Sequence, residues 1–78
     1  MEYVTSDLGL TAYLATKFPL VRIQTIEGQT KKKAFVFKNS QELAKETSSY
    51  WNNTAKIEPN TYFQSIKSLK TRLYSENM

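Results

Sequence analysis

The apolar residues of this chain switch between a spacing of two and a spacing near 3.6, and each switch marks a new element. Lys31 to Lys38, read Lys-Lys-Lys-Ala-Phe-Val-Phe-Lys, is the most strand-like run, aromatic and β-branched residues bounded by polar ones. Leu20 to Ile26 reads as a second strand, and Glu27-Gly28-Gln29-Thr30 joins the two as a β-hairpin. Setting Val21 against Phe37 and Ile23 against Phe35 gathers the bulky residues on one face. That register predicts a turn of odd length, with Gly28 free to supply a positive φ.

Helical spacing surrounds the hairpin. Ser6 is the expected N-cap of a helix over 7–17, with Asp7 in its first turn and Leu10, Tyr13, Leu14 and Phe18 on one face. Pro19 stops it. Asn39 with Glu42 three places on resembles a capping box and opens a helix over 40–51, whose Leu43, Thr47, Tyr50 and Trp51 share a face. Trp51 is expected in the core. Pro59 starts a third helix over 59–74, with Tyr62, Ile66, Leu69 and Leu73 as its apolar stripe. Tyr3–Thr5 and Ala55–Ile57 are short strand candidates. The order β-α-β-β-α-β-α predicts an α+β fold, a small, mainly antiparallel sheet built on the hairpin with about three helices on one face. Residues 1–78 form a single domain.

Composition narrows the chemistry. The chain has no cysteine and no histidine, so disulfides and the usual zinc ligands are absent. Nucleophilic and acid–base catalysis lose their commonest residues for the same reason, and the two glycines, Gly9 and Gly28, are too far apart for a phosphate loop. Glu42 and Glu46 form an i, i+4 carboxylate pair, which a solvated helix face explains without a cation. The expectation is a protein that is not an enzyme and holds no cofactor or metal. Without staples, a domain this small draws its stability from packing, which leaves a homodimer open as a further source. No apolar run reaches membrane-span length and the N-terminus lacks a signal-peptide layout, so the expected location is the cytoplasm. Asn52-Asn53-Thr54 matches a glycosylation sequon, which carries no weight without secretion.

Charge is where the sequence points to a partner. The net charge is +4, unevenly spread. Residues 17–38 carry Lys17, Arg22, Lys31, Lys32, Lys33 and Lys38 against Glu27 alone, a net +5. Residues 56–74 carry Lys56, Lys67, Lys70 and Arg72 against Glu58, a net +3. Basic charge on the hairpin and last helix suits a polyanion.

Val4-Thr5-Ser6-Asp7-Leu8-Gly9-Leu10, then Ala12-Tyr13-Leu14, resembles the opening of a family of short proteins from bacteriophages and other bacterial mobile elements. Phe35-Val36-Phe37, Tyr50-Trp51 and Leu69-Lys70-Thr71-Arg72-Leu73-Tyr74 are similar to that family too. The likeness runs from about Tyr3 to Tyr74. The family is catalogued as a domain of unknown function, so the resemblance implies a mobile-element origin and transfers no catalytic or binding residues.

Two candidate surfaces follow. The first is the hairpin, where Arg22, Lys31, Lys32, Lys33 and Lys38 could hold phosphates as point charges. The competing reading is that lysines guard an exposed strand against edge pairing. The second is a band on the third helix, Phe63, Lys67, Lys70 and Tyr74, in which aromatics suited to stacking on bases lie on either side of two cations. Its competing reading is that Phe63 widens the buried stripe while the lysines snorkel over it. The expected function is a small basic accessory protein binding nucleic acid. A protein-interaction module, an inhibitor or adaptor, is the alternative.

Overall fold

The computed structural model describes residues 1–26 and 29–76, with the backbone alone for residues 26, 29–32 and 76. The elements run β1 (Glu2–Thr5), α1 (Leu8–Ala15), β2 (Leu20–Ile26), β3 (Gln29–Lys38), α2 (Gln41–Trp51) and α3 (Pro59–Glu76). This is the expected α+β fold: three helices and one antiparallel sheet in the order β1-β3-β2. One predicted element does not form, because residues 55–57 join no strand and serve as connection between α2 and α3.

The first helix is the centre of the molecule. Its sequence, Leu-Gly-Leu-Thr-Ala-Tyr-Leu-Ala, contains no charge, and Leu10 to Leu14 are all buried. A helix that is apolar all round is buried all round. It packs against α2 and α3 and shares a core with Phe35 and Phe37 of the sheet. Buried Thr11 satisfies its hydroxyl by donating to the Asp7 carbonyl at 2.7 Å. Gly9 is required by close approach: a Cβ there would lie 2.5 Å from the Tyr50 hydroxyl and 3.2 Å from that of Tyr62.

The caps differ by one residue from expectation. Asp7, not Ser6, is the N-cap of α1 and accepts from the Leu10 amide at 2.8 Å. Ser40, not Asn39, caps α2 by accepting from the Leu43 amide at 3.1 Å. In both cases a short polar side chain three residues before an apolar position does the work. At α3 the Glu58 carboxylate accepts from the Thr61 amide (2.7 Å) and hydroxyl (2.9 Å), and these bonds lower its pKa.

In the sheet, Ile23 faces Phe35 as expected, but a bulge between Leu20 and Arg22 sets Leu20, not Val21, opposite Phe37. Val21 is left about half exposed. The bulge lets two apolar residues reach the core side without a perfect alternation. A second irregularity between Thr25 and Ile26 pairs Ile26 with Gln29, so two residues rather than an odd number connect the strands; those two, Glu27 and Gly28, lie outside the described residues. Residues Tyr3, Leu20, Ile23, Phe35 and Phe37 meet the helices, whereas Val4, Ala34 and Val36 belong to the outer face.

That outer face carries no helix among the described residues, yet Val36 is fully buried. Its neighbours in register are Val4 on β1 and Arg22 on β2. Arg22 reaches over β3 to Glu2 on β1 in a two-pronged ion pair, both bonds 2.7 Å. Because β3 lies between β1 and β2, that pair must cross it, and it roofs the valine.

Candidate nucleic-acid interface

The residues singled out in the sequence separate into two groups in space. Arg22 and Lys38 lie on the outer sheet face, away from the helices. Arg22 is held by Glu2, and its Nε also donates to Gln24 at 3.1 Å. The guanidinium beside Glu2 lowers that carboxyl's pKa, while the carboxylate raises the arginine's. Lys38 is exposed and faces Glu2 in the β1–β3 register. Lys33 donates to Thr25 Oγ1 at 2.9 Å, across the β2–β3 pair. The side chains of Lys31 and Lys32 lie outside the described part of the structure. Their backbone belongs to the stretch of β3 beyond β1, which pairs only with residues 35–38. The hairpin therefore projects past the three-stranded region, with Lys31, Lys32 and Lys33 in the projecting stretch of chain and Lys38 outside it.

The second group stays together. Phe63, Lys67, Lys70 and Tyr74 recur at i, i+4, i+7 and i+11 on α3, within a narrow angular band. All four are exposed, Phe63 by 56% and Tyr74 by 71%. Phe63 thus does not widen the buried stripe, which consists of Tyr62, Ile66, Leu69 and Leu73 against α1. The ammonium of Lys67 sits 5.4 Å from the Phe63 ring centre. A cation in that position offers charge beside an exposed ring face. From Phe63 to Tyr74 the band spans about 16 Å of helix. Arg72 is on the opposite side of α3, where it lines a surface groove of about 360 Å³ with Phe18, Pro19 and Leu20.

Trp51 is the clearest departure from expectation: it is 56% exposed. It closes α2 and stands edge-on to Tyr50, ring centres 5.1 Å apart, so Tyr50 takes the inner position. Glu46 turns toward the core side of α2, where it accepts a hydrogen bond from the Tyr13 hydroxyl at 2.5 Å. Among the described residues no group of acidic side chains is placed to hold a metal ion. None of the described helices is long and apolar enough to cross a membrane.

The sequence did not single out the cluster of Tyr13, Tyr50 and Tyr62. Tyr13 and Tyr50 lie 5.8 Å apart between ring centres, and Tyr62 donates to the Gly9 carbonyl at 3.0 Å. Burial, then the hydrogen bond to Glu46, pushes Tyr13 up to about 12. Burial, then the Tyr62 hydroxyl and the Asp7 charge, pushes Tyr50 to about 12. The usable signal was Gly9: a glycine within an uncharged helix marks close approach by another element.

Compared with known proteins, residues 1–75 match the model of one family, described as a domain of unknown function (DUF5659). No curated protein and no solved structure matches the chain.

Proposed function

We propose that this chain, which belongs to that family of unknown function, is a non-enzymatic accessory protein that binds single-stranded nucleic acid along α3. The observation that carries the reading is the exposure of Phe63 and Tyr74 with Lys67 and Lys70 between them on one helix face. Bases have flat apolar faces that stack on exposed aromatics, and phosphates run alongside within reach of lysine. Large aromatics left in solvent at regular spacing, next to cations, gain nothing from the fold itself. The basic hairpin, with Lys31, Lys32 and Lys33 projecting beyond β1, adds long-range attraction for the polyanion. Arg22 is already engaged by Glu2 and contributes least.

A phage or mobile-element origin, which the sequence resemblance implies, is compatible with this reading. The site of action on this reading is the host cytoplasm. The alternative, a protein-interaction module, has one observation in its favour, the exposed Trp51. Strand addition at the sheet edge is disfavoured, because β1 has four residues and β2 is bulged. An anisotropy titration with labelled single-stranded and double-stranded DNA at low salt tests the proposal. Tighter binding of the single strand supports it, and equal or absent binding by folded protein overturns it.

A further inference from the structure

The tyrosine cluster lines an open cavity of about 250 Å³ where α1, the end of α2 and the start of α3 meet. Its walls are Tyr13, Tyr50, Tyr62, Asn53, Ala55 and Ile57, with no lysine or arginine among them. Two carboxylates and one ammonium lie near these walls. Glu46 is bonded to the Tyr13 hydroxyl, and Asp7 lies close enough to act on Tyr50 through its charge. The hydroxyl hydrogens of Tyr13 and Tyr62 are both used inside the protein, on Glu46 and on the Gly9 carbonyl. What remains for an occupant is chiefly ring surface, with the Tyr50 hydroxyl and the Asn53 amide as its polar edges. A cation already exploits this cluster from within the chain: the Lys17 ammonium sits 5.7 Å from the Tyr13 ring centre.

From these features we infer that the Tyr13–Tyr50–Tyr62 cavity is a binding site for an organic cation of trimethylammonium size. Aromatic faces attract such ions through the ring quadrupole, and quaternary ammonium groups, with no N–H to satisfy, suit a site walled mainly by rings. An anion is disfavoured by Asp7 and Glu46. A neutral apolar occupant would gain nothing from either carboxylate. Asn53, at φ 60°, turns the chain where it leaves α2, and Ala55 and Ile57 just beyond it complete the lining.

The test uses the intact chain and a matched pair of probes, choline and its neutral carbon isostere 3,3-dimethylbutanol, followed by two-dimensional NMR. The expected result is saturable shifts centred on Tyr13, Tyr50, Asn53 and Tyr62 with choline, and at least about fivefold weaker binding of the isostere. A peptide carrying trimethyl-lysine distinguishes a protein side chain from a free head group: whichever of peptide or choline binds more tightly identifies the source. Tyr50→Phe keeps the ring and should retain binding, whereas Glu46→Gln should weaken it. Equal binding of choline and isostere, or no shifts at the cavity, would overturn the inference without bearing on the α3 band.

Discussion

Arg22 on β2 and Glu2 on β1 meet across the central strand, two bonds of 2.7 Å joining guanidinium to carboxylate above Val36. An arginine counted by sequence as a phosphate ligand is thus part of the sheet's outer covering. Arg22→Gln should leave nucleic-acid affinity nearly unchanged while lowering thermal stability slightly. The contribution has a defined pH sense. The folded pKa of Glu2 is below its ordinary value of 4.5, so the stabilisation is present above that value and fades as pH falls through the folded pKa. A thermal melt of wild type and Arg22→Gln across the acid range checks this: the two curves should converge at low pH.

Gly9 and Tyr50 make a sharper test of the helix packing. Alanine favours a helix over glycine by about 1 kcal/mol, yet its Cβ would sit 2.5 Å from the Tyr50 hydroxyl. Gly9→Ala should therefore destabilise the domain, by about 1–2 kcal/mol in denaturant unfolding. In a Tyr50→Phe background the clash is gone, and the same change should become neutral or stabilising. Additive effects would show that the close approach is not what requires glycine.

Alkaline titration probes the tyrosine cluster. Tyr13 and Tyr50, two of the five tyrosines, should ionise near pH 12 rather than near 10.0. A raised folded pKa means full stabilisation below the unfolded value and progressive loss as pH climbs from about 10 to about 12. Phenolate absorbance should show a late phase that disappears in denaturant and shrinks in Tyr13→Phe. A single phase near the ordinary value would contradict the burial of these two rings.

Truncations on α3 separate its two faces. Leu69 is 3% exposed and packs in the core, so Leu69→Ala should cost about 2–5 kcal/mol and bring so small a domain close to unfolding. Phe63→Ala, by contrast, should change stability by no more than about 0.5 kcal/mol. A large loss at Phe63 would return it to the core.

How much of this was legible depends on how local the cause was. Every helix and strand expected from period forms except the short one at 55–57, and Tyr13, Leu14, Phe35, Phe37, Leu43 and Leu69, all placed on apolar faces by that period, are buried. Ile23, Ile66 and Leu73 pack against that core from partly buried positions. The bulge at Val21 was not legible, because it depends on which of two adjacent apolar residues the helices accept. Asn39 and Ser40 are both good caps, and only the geometry of the chain leaving β3 chooses between them. The all-round burial of α1 could have been read from its lack of charge. The Arg22–Glu2 pair joins the two edge strands, and no sequence spacing encodes such a contact. On the candidate surface, i, i+4, i+7 spacing placed the α3 band correctly, but whether Phe63 faced core or solvent was set by how α3 rolls against α1.

The salt dependence of single-strand binding, measured for wild type and two pairs of α3 variants, tests the central claim most directly. Affinity should fall linearly with salt on logarithmic axes, and Lys67→Gln with Lys70→Gln should flatten the slope by about 1.4, roughly 0.7 per lost phosphate contact. Phe63→Ala with Tyr74→Ala should leave that slope alone yet weaken binding by about 1–3 kcal/mol for each base that loses its stacking partner. If the aromatic pair can be removed from folded protein without loss of affinity, α3 is not the nucleic-acid surface, and the account is contradicted.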